Sequence, residues 1–261
     1  MLNDHRTREW DVVDEAATPA MNPDALLRPV IQDNSRDAPV IIHDHLRRQI
    51  LSGELEPGCE LSQSRVAADF GVSRGPVREA FRMLQRDGLI DAEVNHRARI
   101  TPLSVPDVEH VYALRIVNEA LALSVGISQF STVELDELDR RVAAVDDARE
   151  QGYHVWERTH QSFHDMLLMH SGARMRRSLS EWADQTERYR RVYVARQEGG
   201  WSLGAPEHAL MVEASRARDL RAATTLLARH LSRAALSLVA TMDPEHDPAL
   251  VRNAVRQVTG S

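Results

Sequence analysis

Apolar residues begin to recur at helical spacing near Pro39 and keep that rhythm, with one interruption, almost to the end of the chain. In VIIHDHLRRQILSGELEPG, Ile42, Leu46, Ile50 and Leu51 share one helical face, and Gly53 with the following Glu-Pro-Gly stops the helix. LSQSRVAADFG predicts a second, short helix capped by Ser62 and ended by Gly71. VSRGPVREAFRMLQRDG predicts a third, with Ser73 as cap, Pro76 in the first turn and Gly88 beyond the last; Val77, Ala80, Phe81 and Leu84 form its inward face. The interruption is LIDAEVNHRARITPL, whose short β-like runs around a polar tip at Asn95 to Arg97 predict a small hairpin. From Ser104 the helical period returns, and helices are expected at 105–126, 132–150, 153–170, 173–198, 205–217 and 219–240. Ser104, Ser131 with Glu134, and Asp219 supply the caps. MDPEHDP closes this region, and a short helix from Pro248 follows.

Two short helices joined by the tight FGVSR turn and followed by a hairpin make a winged helix-turn-helix, in which the second helix enters the major groove. The predicted fold class is therefore mainly α: an amino-terminal winged helix-turn-helix at 39–103 plus an all-α carboxy-terminal helical bundle of about six helices at 104–241. Residues 1–38, rich in scattered Pro, Asp and Asn, are expected to be a flexible tail, and 242–261 a carboxy-terminal tail.

Composition changes this picture in three places. The net charge of −7 argues against nucleic-acid binding unless the basic residues are concentrated. The 32 basic residues are all arginine, the side chain suited to paired contacts with guanine edges and phosphates, although a general preference for arginine over lysine explains this too. The single cysteine, Cys59, excludes an internal disulfide and a cysteine-rich zinc site. With no long apolar run and no signal-like start, the chain is expected in the cytoplasm, with no membrane partner.

The arginines do concentrate. Arg74, Arg78, Arg82 and Arg86 fall every four residues on the third helix, away from Val77, Phe81 and Leu84, so they form one slowly drifting basic stripe. Arg74 and Arg78, at the helix start, are placed to read base edges; Arg82 and Arg86 are placed for phosphate. The alternative is an ordinary surface on which these arginines pair with Glu79, Asp87 and Asp91. The segment LRRQILSGELEPGCELSQSRVAADFGVSRGPVREAFRMLQRDGLIDAEVNHRARITPLS resembles the winged-helix domain of GntR-type regulators, and GVSRGPVREAFRMLQRDGLI follows that family's recognition helix along its length. The resemblance implies that Arg74 and Arg78 read the operator, with Ser73, Arg65, Arg82 and the wing residues His96 and Arg97 completing the contact to double-stranded DNA. The chain departs from the pattern at Ser64, where many relatives carry Arg or Glu, and at Arg97, which replaces the wing glycine.

In the second domain His160 and His164 lie four residues apart, so both rings can face one ion, and His208 and His230 stand on two later helices. QSFHDMLLMHSG, PEHALMVEASRARDLRAA and LLARHL resemble the FCD effector domain of the FadR branch of GntR regulators. That likeness implies a metal site in which His160 occupies the place of the usual Asp or Asn, followed by His164, His208 and His230. Four imidazoles favour zinc or nickel over manganese among divalent transition metals. A cluster that lines a ligand cavity without an ion is the alternative. Arg115, Arg188, Tyr189 and Tyr193 are candidate anchors for a small carboxylate effector. The expected molecule is a homodimeric, effector-controlled repressor. A metal-dependent hydrolase is disfavoured, because HExxH is missing and Asp165, the carboxylate beside the pair, is expected to face another side. A DNA-binding protein with a vestigial effector domain is the third possibility.

Overall fold

The computed structural model describes residues 36–92, 97–193 and 205–260. Residues 1–35 of the expected tail, the wing tip with His96, and 194–198 of the helix expected to end at 198 lie outside the described residues.

The first domain runs α1 (Ala38–Ser52), β1 (Glu60–Ser62), α2 (Gln63–Phe70), α3 (Arg74–Arg86), β2 (Ile90–Ala92) and β3 (Arg97–Ile100). Its helices form where the spacing puts apolar side chains on one face. Ile42, Leu46 and Ile50 of α1 meet Val66 and Phe70 of α2 and Val77, Phe81 and Leu84 of α3 in one buried cluster. Left-handed Gly53 (φ 74°) ends α1, and its N–H reaches the carbonyl of Ile50 at 3.2 Å. The Ser62 hydroxyl accepts the Arg65 amide at the start of α2. Ser73 stands at the N-cap of α3 but makes no side-chain capping bond.

The wing has one strand more than the hairpin expected. The sheet order is β1-β3-β2, antiparallel throughout, with Leu61 opposite Ala98 and Ile90 opposite Ile100. Strand period two sends Ala98 and Ile100 into the core and Arg97 and Arg99 outward. A three-residue strand abutting a helix cap is too short to show alternation, so β1 left no pattern in the sequence.

The second domain comprises α4 (Val105–Gly126), α5 (Thr132–Asp147), α6 (Tyr153–Leu167), α7 (Ala173–Tyr193), α8 (Ala205–Arg216), α9 (Leu220–Met242) and α10 (Ala249–Thr259). Tight 3-10 turns at Ala148–Gln151 and Met169–Ser171 replace the last turns expected of α5 and α6. Helix α4 is central, against α9, α10 and α7, and buries Val108, Tyr112, Ile116 and Leu123. The expectation of a tail from 242 is corrected, whereas the six helices expected between 104 and 241 are α4 to α9. Val251 and Ala254 of α10 enter the bundle core, and Glu109 of α4 accepts the amides of Leu250 at 2.7 Å and Val251 at 3.3 Å. No described helix is long and apolar enough to cross a membrane.

Helix α7 joins the two domains through polar contacts. Asp184 is ion-paired with Arg47 of α1. Gln185 donates to the carbonyl of Asp87, just past α3, at 3.2 Å. Arg188 donates to the Thr101 carbonyl at 2.6 Å, and the Tyr189 hydroxyl donates to Asp107 at 2.6 Å while accepting the Ser104 amide. The apolar cores of the two domains remain separate clusters.

Candidate functional site

The first candidate surface is α3. Arg74, Arg78, Arg82 and Arg86 are all exposed on the face opposite Val77, Phe81 and Leu84. Only Arg82 among them is paired within the described residues, with Glu79 at 3.4 Å. Asp87 is instead engaged by His43 at 2.7 Å, so the ordinary-surface alternative accounts for one arginine of the stripe. Arg65 is exposed on α2, 3.8 Å from Asp69. Arg97 is exposed on β3 and 3.0 Å from Glu60, which is also 3.9 Å from Arg99. Arg99, two residues from Arg97 and on the same outward face, belongs to this surface; strand alternation was the signal that could have found it. The stripe concentrates positive charge on a chain whose total is −7.

The second candidate is built where α6, α8 and α9 converge. His160 and His164 of α6, His208 of α8 and His230 of α9 are buried, and one ring nitrogen from each lies within 4.8 Å of all the others. The Nε2 atoms of His160 and His164 are 3.2 Å apart, and those of His208 and His230 are 3.4 Å apart. Those separations match nitrogens bound at about 2.0–2.1 Å to one ion. Trp156 stacks on His160 with rings 4.6 Å apart, and Phe163 fills the space between His164 and His208, so the rings are held from behind by apolar surface.

The chemistry of the donors suits a cation. Burial, reinforced by the neighbouring imidazoles, holds His160 and His164 well below the ordinary histidine range. Burial likewise lowers His208 to about 2 and, with Arg115 nearby, His230 to about 4. All four are neutral at physiological pH, with lone pairs available to a metal. Glu207 accepts from Nδ1 of His230 at 3.1 Å, which turns Nε2 toward the other rings. Glu207 lies one residue before His208 and carried no signal of its own in the sequence. Among the described residues, Nδ1 of His160, His164 and His208 is buried without a hydrogen-bond partner.

A cavity of about 370 Å³ opens beside His164, between α4, α6 and α7. Arg115 is at its inner end, where it donates to Glu119 at 2.7 Å and to Thr186 of α7 at 2.5 Å. Gln161, Asp165, Arg176, Arg177 and Ser180 also line it. The expectation that Asp165 faces elsewhere is therefore corrected: one turn of α6 spreads Gln161, His164 and Asp165 around a single opening. Of the four anchors expected from sequence, only Arg115 is brought to the cluster. Arg188 and Tyr189 are committed to the domain junction, and Tyr193 lines a separate opening between the domains with Tyr153, His154 and Arg191. Their own helix turns them the other way, since α7 shows the cavity the residues at 176, 180 and 183 and the first domain those at 184, 185 and 188.

Residues 41–100 match the bacterial regulatory proteins of the gntR family, and residues 110–233 match the FCD domain. The chain is 32% identical over 152 residues, 58% of its length and 68% of the relative's, to the uncharacterised HTH-type transcriptional regulator YdhC of Bacillus subtilis strain 168. It is 24% identical over 199 residues to the HTH-type transcriptional repressor GlaR of Escherichia coli K12, covering 71% of this chain and 89% of that one. Among solved structures it resembles E. coli McbR/YncC, with a TM-score of 0.66 and 18% identity over 77% of this chain and 96% of the other. With a winged reading head in front of an all-helical FCD domain, the chain belongs to the GntR family of bacterial regulatory proteins, whose members are transcriptional regulators and not enzymes.

Proposed function

We propose that the protein is a cytoplasmic, homodimeric repressor that binds operator DNA through α3 and changes its grip when a small carboxylate settles beside a metal held by His160, His164, His208 and His230. The observation that carries this is the position of α7. One side of the helix lines the cavity next to the histidines, and the other holds the carbonyl at the end of the reading helix. Anything that moves α7 toward the cavity therefore pulls on the DNA-binding head.

Arg74 and Arg78 read base edges, Arg82 and Arg86 meet phosphate, and Ser73, Arg65, His96 and Arg97 fix the register on the backbone. That the Ser73 hydroxyl makes no capping bond to α3 supports such a contact. Two copies related by a two-fold axis place two heads on a palindromic site. Four neutral nitrogen donors favour zinc or nickel, and the bound ion supplies a positive centre for a carboxylate oxygen. Arg115 stands ready to orient the same carboxylate. The relative named as a repressor supports the direction of the regulation.

Elemental analysis tests the site. Purified protein is expected to hold about one divalent transition ion per subunit, and His164→Ala or His208→Ala to lose it while the head, with its separate core, stays folded. Wild-type protein that is free of metal yet still releases operator DNA on adding a carboxylate would overturn the proposal.

A further inference from the structure

The cavity has a second charged end. Arg176 and Arg177 of α7 are exposed and line the cavity, and their guanidinium groups have no ion-pair or hydrogen-bond partner among the described residues. At the inner end Arg115 is neutralised by Glu119 at 2.7 Å. Asp165, which accepts from Gln161 at 2.8 Å, is the one other carboxylate of the lining. Three guanidinium groups against two carboxylates leave the cavity with an excess positive charge on a chain that is negative overall. The helical rise sets the Cα atoms of Arg176 and Arg177 about 13–15 Å along α7 from Thr186, where Arg115 rests. One carboxylate held at the histidine end therefore leaves both outer arginines without a counter-charge.

We propose that the effector is an acid with at least two anionic groups, one bound at the histidine and Arg115 end and the other taken by Arg176 and Arg177 as specificity-determining residues. This rests on the cavity being the effector site, and it adds the class of effector that the cavity selects. Two guanidinium groups at a partly open mouth bind a second carboxylate through charge-assisted hydrogen bonds and leave a monoacid of the same length uncompensated.

Isothermal titration of the full-length, zinc-loaded protein with the matched pairs butyrate and succinate, and hexanoate and adipate, separates the two ends. At least one diacid is expected to bind about tenfold or more tightly than its monoacid. Arg176→Gln combined with Arg177→Gln should abolish that advantage without changing monoacid affinity. Arg174→Gln, a neighbouring exposed arginine that does not line the cavity, should leave both affinities as in wild type. Equal affinity for mono- and diacids, or a diacid advantage that survives the double substitution, overturns the second subsite and leaves the effector site standing. If no acid of either kind binds, both fall together.

Discussion

Arg78 is exposed, unpaired among the described residues and set one turn into α3, so it contributes little to the fold, and in the proposed operator contact it reads a base edge. Arg78→Ala is expected to cost about 1–3 kcal/mol of specific binding at each half-site while the melting temperature stays within a degree or two of wild type. Footprinting on the operator together with thermal denaturation checks both halves of that statement. Arg86→Ala should behave differently, weakening all sequences alike and lowering the salt slope by about one. These arginines were legible in the sequence because a stripe repeating every four residues needs only helical periodicity to be seen. The four histidines were legible for a mixed reason: His160 and His164 share a face by spacing, whereas His208 and His230 were joined to them by family likeness. Arg176 and Arg177 were not legible at all. Which side of α7 meets the cavity is fixed by long-range packing, and the same uncertainty sent Arg188 and Tyr189 to the wrong side.

At the scale of elements, one carboxylate fastens the start of α10, whose Val251 and Ala254 enter the core. Burial alone would raise the Glu109 pKa, but the bonds it accepts from His246 and from the Leu250 and Val251 amides outweigh burial and hold it below the ordinary glutamate value. A carboxyl group whose folded pKa is depressed adds stability above its unfolded pKa and loses it as pH falls through the folded value. Docking of α10 should therefore be intact at neutral pH and weaken below about pH 4.5, the ordinary value. Glu109→Gln should bring that loosening to pH 7 at a cost of about 1–3 kcal/mol, seen as faster amide exchange in α10 with little change in α3. Sequence periodicity predicted this helix but assigned it to a tail, because Val251 and Ala254 offer too narrow an apolar face to announce what they pack on. The third strand was hidden for a related reason, being shorter than one full alternation.

For the whole molecule, the contacts of α7 with the first domain are where the proposed coupling can be tested. Gln185→Ala removes the contact between α7 and the end of the reading helix while leaving Arg115, the histidines and the arginine stripe in place. DNA affinity without effector and effector affinity without DNA should each change little. The coupling between them should fall by about 0.5–2 kcal/mol, measured as effector binding with and without saturating operator. Undiminished coupling would mean that the signal bypasses this bond. The order of domains and the core of the first were readable in advance, but the polar character of the junction was not, since it depends on side chains far apart in sequence such as Arg47 and Asp184.

That polar junction has a thermal consequence. Contacts made by an ion pair and by hydrogen bonds to carbonyls exchange with water when broken, and the two apolar cores do not meet across them. Reorienting the head thus exposes little apolar surface, which is the source of a large heat-capacity change. Under the proposed switch, the equilibrium between head orientations should accordingly follow a nearly straight van't Hoff line, its slope set by the enthalpy of the polar contacts and its curvature small.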